Sequence, residues 1–184
     1  MAMRTLIGLG VVGLLLAGCG GSTTSTEASP SAVATSAAPS PVASDDACGL
    51  LSAEEINAVL GTTFEAGTQN ADDTRDIVTC NFTMTDDSTG VELPVSIVDV
   101  GTSLLDGQES YTTNQDLAPA YFGGDPKDVA VAGADKAYIV INEGTQSPVI
   151  GILAQGRFIL VQIGVEGATE EQAVELAEMA AARA

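Results

Sequence analysis

The chain of 184 residues contains no histidine and no tryptophan. Without His, a Ser-His-Asp or Cys-His arrangement is impossible, and the commonest zinc ligand is missing as well. Aromatic residues make up only 4% of the chain, too few for a platform that stacks sugars or bases. Basic residues are scarce: six Lys and Arg stand against 25 Asp and Glu, a formal charge of −19. That balance excludes a nucleic-acid surface, which needs clustered Lys and Arg to displace phosphate counterions. It equally excludes a basic patch resting on anionic headgroups. Neither lysine, Lys127 or Lys136, follows a Ser by three residues, so the Ser-x-x-Lys nucleophile motif is absent. No Walker loop or dinucleotide fingerprint occurs.

What is present begins at the N-terminus. Residues 1–5 carry one charge, Arg4, and residues 6–16 are wholly apolar or Gly, followed by Ala17, Gly18 and Cys19. The stretch from Leu6 to Gly18 spans about 20 Å as a helix. That falls short of the roughly 30 Å hydrocarbon core and reads as a secretory signal, not a spanning helix. The run Leu16-Ala17-Gly18-Cys19 resembles the bacterial lipobox. The resemblance implies cleavage before Cys19, thioether attachment of a diacylglycerol to its sulfur, and palmitate-type acylation. Residues 1–18 are then the signal peptide. The mature chain sits on the extracytoplasmic side of the cell membrane, held by acyl chains that need no basic patch.

Residues 19–47 follow as a tether of Ser, Thr, Ala, Pro, Gly and Val, with Pro30, Pro39 and Pro41, and with Glu27, Asp45 and Asp46 as its charges. Without apolar periodicity it cannot offset its ordering entropy and is expected to be disordered, with a reach of roughly 30 Å. Such Ser/Thr/Pro tracts also accept O-linked sugars. Asn81-Phe82-Thr83 matches the N-glycosylation pattern, a chance match in a bacterial lipoprotein.

Of three cysteines, the lipidated Cys19 leaves Cys48 and Cys80. In an oxidising space an even remainder implies a disulfide, here between the start of the fold and a strand. No CxxC spacing supports a redox-active pair.

Residues 48–184 read as one domain. Ser52-Ala53-Glu54-Glu55 is a capping box, with Leu51 and Ile56 as its hydrophobic staple, Val59 and Leu60 extending the stripe and Gly61 as the stop. After a loop rich in Asn and Asp, Val78, Cys80, Phe82 and Met84 alternate with polar residues, the period of a half-buried strand. Residues 91–100 form a second strand, with Pro94 marking an edge or bulge. Residues 102–115 carry a weak helical signal broken by Gly107, and residues 121–128 read as loop. Residues 136–141, 149–154 and 157–165 give three more strands, the last two joined by a Gln155-Gly156 turn. Thr169-Glu170-Glu171-Gln172 caps a final helix with Ala173, Leu176, Ala177 and Ala180 on one face. The expected fold is α+β: an antiparallel sheet of about five strands, an N-terminal and a C-terminal helix packed on one face, and one disulfide.

The order of these motifs carries a resemblance. Ala47-Cys48-Gly49-Leu50-Leu51-Ser52-Ala53-Glu54-Glu55-Ile56, then Val59-Leu60-Gly61, a Cys in a strand, Gly133-x-x-x-Ala137-Tyr138, a Gly-containing hairpin and an Ala-rich helix are similar to a family of actinobacterial cell-envelope lipoproteins of unknown function. The likeness covers residues 47–182. Phe82 stands where members of that family often carry Trp. The layout is also similar to extracellular sensor domains of mycobacterial receptor kinases. The resemblance implies an address and a fold, and no reaction.

Acid pairs are plentiful, but Glu54-Glu55 and Glu170-Glu171 already serve helix N-termini. Asn70, Asp72, Asp73 and Asp76, and separately the run from Asp86 to Gly90, offer hard oxygen ligands, yet neither matches EF-hand spacing, and both read as solvated loops. Tyr121-Phe122-Gly123-Gly124 reads as an apolar loop plugging one end of the core. No catalytic residue, metal site or cofactor is expected. The expected function is a membrane-anchored, non-catalytic domain contacting another envelope protein or wall component. A carrier of a small apolar ligand, held between the sheet and its Ala-rich helix, is the alternative. A carboxylate-based hydrolase ranks last.

Overall fold

The computed structural model describes residues 45–85 and 94–184. The expected signal peptide, Cys19, the tether up to residue 44 and the acidic run from Asp86 to Gly90 lie outside these residues.

Both capping boxes form. Helix α1 (Ala53–Leu60) starts where the Ser52 hydroxyl accepts from the Glu55 amide at 3.3 Å and the Glu55 carboxylate accepts from the Ser52 amide at 2.9 Å. Thr169 and Gln172 exchange the same two bonds, at 3.2 and 2.9 Å, to open the last helix, α3 (Glu170–Ala181). Each such cap contributes about 1 kcal/mol by satisfying amides that a helix start leaves orphaned.

Between them lie seven strands: β1 (Thr68–Asp72), β2 (Ile77–Thr85), β3 (Pro94–Ser103), β4 (Lys127–Asp128), β5 (Lys136–Asn142), β6 (Ser147–Ala154) and β7 (Arg157–Ile163). They form one antiparallel sheet in the order β1-β2-β3-β7-β6-β5-β4. The chain leaves the sheet after β3, crosses it as helix α2 (Gly107–Phe122), re-enters at the far edge and meanders back until β7 pairs with β3. The five expected strands are there. The two extra ones are edge strands, where pairing is one-sided and the apolar alternation that marks a half-buried strand is not required. β1 is almost wholly exposed and β4 is two residues long. Pro94 opens β3 opposite a register shift between Met84 and Thr85, so it marks a bulge beside a central strand, not an edge.

The sheet has two unlike faces. Val78, Cys80, Phe82, Val98, Val100, Ile150, Ile152, Ile159, Val161 and Ile163 point to one, where they bury against Leu50, Leu51 and Ile56 around α1 and against Ala173, Leu176, Ala177 and Ala180 of α3. Both terminal helices therefore share a face, as expected. The third helix corrects the expectation: α2 lies on the opposite face, over a smaller core of Tyr111, Ala118, Tyr138, Val140, Val149, Leu153 and Phe158. Gly107, the residue that weakens the helical signal, is what lets α2 dock. It is the first residue of the helix, where glycine's entropic cost is least felt, and a Cβ there would stand 2.1 Å from the Gly156 carbonyl oxygen. Gln155 and Gly156 both have positive φ, 50° and 78°, the type I′ pattern expected for that hairpin.

Cys48 and Cys80 are bonded, with Cα atoms 4.9 Å apart. The link ties the segment before α1 to the middle of β2, and closing a loop of this length stabilises by roughly 3–4 kcal/mol in the chain-entropy picture. Arg183 completes the closure from the C-terminal side. Its guanidinium donates to the Leu50 carbonyl at 2.9 Å and pairs with the Glu55 carboxylate, 3.0 Å to Oε2 and 2.5 Å to Oε1. That pairing holds the Glu55 carboxyl down at about 2 and raises the guanidinium. None of the helices among the described residues is long and apolar enough to cross a membrane.

Candidate functional site

Because α2 crosses β5, β6 and β7, the same face of β1, β2 and β3 has no helix above it among the described residues. Register fixes which side chains occupy this strip. Thr79 pairs with Gly101 and Asn81 with Asp99 across β2 and β3, while Gly101 and Asp99 face Leu160 and Gln162 of β7. The flank of α2 facing the strip presents Glu109, Ser110, Thr113 and Asn114, spaced so that two successive turns contribute. Floor and wall enclose a groove of about 680 Å³, within the range of small-ligand sites.

The floor runs from polar to apolar to polar. At one end, Asn70 of β1 donates to the Asn81 amide oxygen at 2.7 Å, and Asn81 in turn donates to the Asp99 carboxylate. Burial raises the Asp99 pKa, an effect that the Asn81 hydrogen bond only partly opposes. In the middle lie Gly101 and the half-buried Leu160, with Phe158 beyond. Gly101 leaves the floor open: a Cβ there would meet nothing closer than the Thr79 methyl at 3.6 Å. At the other end, Ser110 donates to the Ser103 hydroxyl at 3.0 Å, and Asp106 caps α2 by accepting from the Glu109 amide at 2.9 Å. Asp72 and Arg75 close that end as an exposed ion pair at 3.5 Å. Leu105, 59% exposed, stands at the mouth.

A second cleft of about 470 Å³ lies on the other flank of α2, lined by Tyr111, Thr112, Gln115, Asp128, Val129, Lys136 and Ala137. Its polar groups bond one another: Lys136 donates to Gln108 at 3.2 Å and sits 5.9 Å over the Tyr111 ring, and Gln115 donates to Asp128 at 3.2 Å. Under α2 the Tyr138 ring meets Tyr111 edge-on at 5.4 Å and lies over Gly151, which leaves it room. Its buried hydroxyl has no hydrogen-bond partner among the described residues, and burial pushes its pKa up.

Apart from Asp72 and Asn81, which line the groove, the residues singled out in the sequence fall elsewhere. Cys48 and Cys80 lie on the closed face. Asp72 serves its hairpin, accepting from the Thr74 amide at 3.0 Å and hydroxyl at 2.5 Å, while Asp76 takes the positive-φ position of the same turn. Among the described residues no group of three or more acidic or thiol side chains is placed to hold a metal ion. Tyr121 and Phe122, expected in a loop, end α2. Phe122 packs on the smaller core, Tyr121 is 69% exposed and Gly123 forms the left-handed cap. In the Ala-rich helix, Ala173, Ala177 and Ala180 are fully buried against the sheet, and the two clefts described above lie on the opposite face. Of the groove residues, Asp99, Gly101 and Ser110 were not singled out, and Asn81 only as the first residue of the glycosylation pattern. Their one local signal is Asp99 and Gly101 alternating with Val98 and Val100 in β3.

Residues 14–182 match a family described as protein of unknown function, DUF3558. No curated protein and no solved structure matches the chain.

Proposed function

The chain belongs to the DUF3558 family, whose description assigns no activity, and we propose that it is a lipid-anchored, non-catalytic binding domain of the cell envelope whose ligand lies in the groove beside α2. The observation that carries this is the uncovered half of one sheet face. A sheet face without a helix above it is ordinarily lined for solvent. This one is instead walled by α2 and keeps a half-buried carboxylate at its floor.

The anchor rests on Leu16-Ala17-Gly18-Cys19 and the tether on residues 19–47, which together support a position on the extracytoplasmic side of the membrane. An actinobacterial envelope is the address that the order of motifs supports. The non-catalytic reading is supported by the chemistry of the acids. Glu55, Asp72 and Glu171 are shifted down by partners that hold their charge, and Asp99 is shifted up by burial and not by a second carboxylate. A hydrolase of paired carboxyls requires mutual perturbation. Another envelope protein or a wall component is the ligand class favoured over a small apolar molecule, because carboxylates stand at both ends of the groove and polar side chains along its α2 wall.

A photoreactive residue at Asn114, in the groove wall, tests the site in living cells. The expected result is a discrete crosslinked species that is not formed from the same residue placed at Glu175, exposed on α3. Equal, diffuse crosslinking from both positions overturns the groove as the binding site. For the anchor, Cys19→Ala should abolish labelling by palmitate and release the protein from the membrane; retention with labelling intact would refute lipidation at Cys19.

A further inference from the structure

The distribution of charge along the groove narrows the ligand class. Four carboxylates line it, those of Asp72, Asp99, Asp106 and Glu109, against a single basic side chain, Arg75, which is engaged with Asp72. The remaining acids sit at its two ends. Asp99 lies beside Asn81 and Gln162. Asp106 and Glu109 lie at the start of α2, joined to Ser103 through Ser110. Asp99 and Ser103 are four residues apart on one strand, so their Cα atoms stand roughly 13 Å apart, and Ser103 lies at the end where Ser110 joins it to the start of α2. Between them the floor is the open Gly101 and the apolar Leu160. Lys127 and Arg183, which might otherwise offset this charge, are committed to Glu170 and Glu55.

We propose that the part of this ligand that enters the groove is a linear aliphatic chain with an ammonium group at each end, one on Asp99, the other at the Asp106–Glu109 end, and the methylenes over Gly101 and Leu160. The proposal deepens the assignment of the groove as the binding site and rests on it. One carboxylate at one end and two at the other suit ammonium groups, each of which takes one or two charged acceptors with neutral acceptors beside them. Asn81 and Gln162 supply these at one end, Ser103 and Ser110 at the other. A divalent cation would want its oxygens gathered at one point. The span between the ends exceeds what a monoamine can bridge.

The probe is octamethylenediamine, which carries an ammonium group at each end of an uninterrupted methylene chain, titrated calorimetrically into the full-length protein in detergent near neutral pH, at about 0.15 M salt to screen diffuse attraction to the acidic surface. One saturable site is expected, with propylamine binding at least about tenfold more weakly because it reaches only one end. Asp99→Asn keeps the size of the side chain and should weaken the diamine by roughly tenfold or more. Gly101→Val, whose Cβ finds open space, fills the floor and should abolish binding while thermal unfolding stays as in the parent. Glu175→Gln should change nothing. No saturable binding, or binding that Asp99→Asn and Gly101→Val leave intact, overturns the proposal. Loss of diamine binding alone, with the Asn114 crosslink retained, rejects the amine and keeps the groove; loss of both rejects the groove itself.

Discussion

The face under α1 and α3 is sealed by small and branched side chains, whereas the face under α2 is sealed along only half its width. On the first, Ala173, Ala177 and Ala180 bring α3 down onto Ile150, Ile152 and Ile159, and the disulfide and Arg183 hold the adjoining segment in place. On the second, a more polar helix docks through Tyr111 and Ala118, and the strands beyond it show Thr, Asn, Asp and Gly. One sheet thus separates a sealed core from an open groove: alternate residues of the same strand, Cys80 and Asn81 or Val98 and Asp99, face opposite sides.

Four measurements would break or sharpen that contrast. The largest effect is expected from replacing Cys48 and Cys80 together by Ser, a loss of about 3–4 kcal/mol in denaturant unfolding. Close to it, Ile159→Ala on the closed face should cost about 3 kcal/mol, while Leu160→Ala, one residue on and half-buried in the groove, should cost about 1 kcal/mol or less. Equal costs would mean that the open face is packed like the closed one. Next comes acid. Glu55 is held down at about 2 from an ordinary 4.5, so its contribution is fully present above about pH 4.5 and is lost as pH falls towards 2. Glu55→Gln should therefore lower stability at neutral pH by on the order of 1–2 kcal/mol and converge with the parent at low pH. The smallest is Tyr138→Phe, which removes a buried hydroxyl without a partner and should stabilise by about 0.5 kcal/mol; a clear destabilisation would show that the hydroxyl is bonded.

The closed face was the legible one. Capping boxes are local in sequence, so Ser52 and Thr169 announce α1 and α3 directly, and period-two alternation marks β2 because one side of it is fully buried. Where burial is partial the signal fades. β1 has no buried side chain, and α2 buries only Gly107, Ser110, Tyr111 and Ala118, too sparse a set for a helical stripe. Reading Gly107 by its propensity alone misjudged it, since its role is close approach to a turn some fifty residues later. The groove was illegible for a topological reason. It exists because β3 pairs with β7 across a connection containing α2, β4, β5 and β6, and no local pattern encodes that pairing.

The Cys48–Cys80 link also determines how the domain responds to being pulled. Tension reaching the fold from residue 45 passes at Cys48 straight into β2, and the intervening chain, with α1 and β1, hangs as a side loop outside the line of force. That loop cannot be peeled away while the bond lasts. The first residue past the point of attachment, Asn81, is in the groove, so the mechanical path from the attachment to a bound ligand is a single step along one strand. If the domain is anchored and engaged as proposed above, a pull between anchor and partner runs through a covalent rivet and spares the loop that carries α1 and β1.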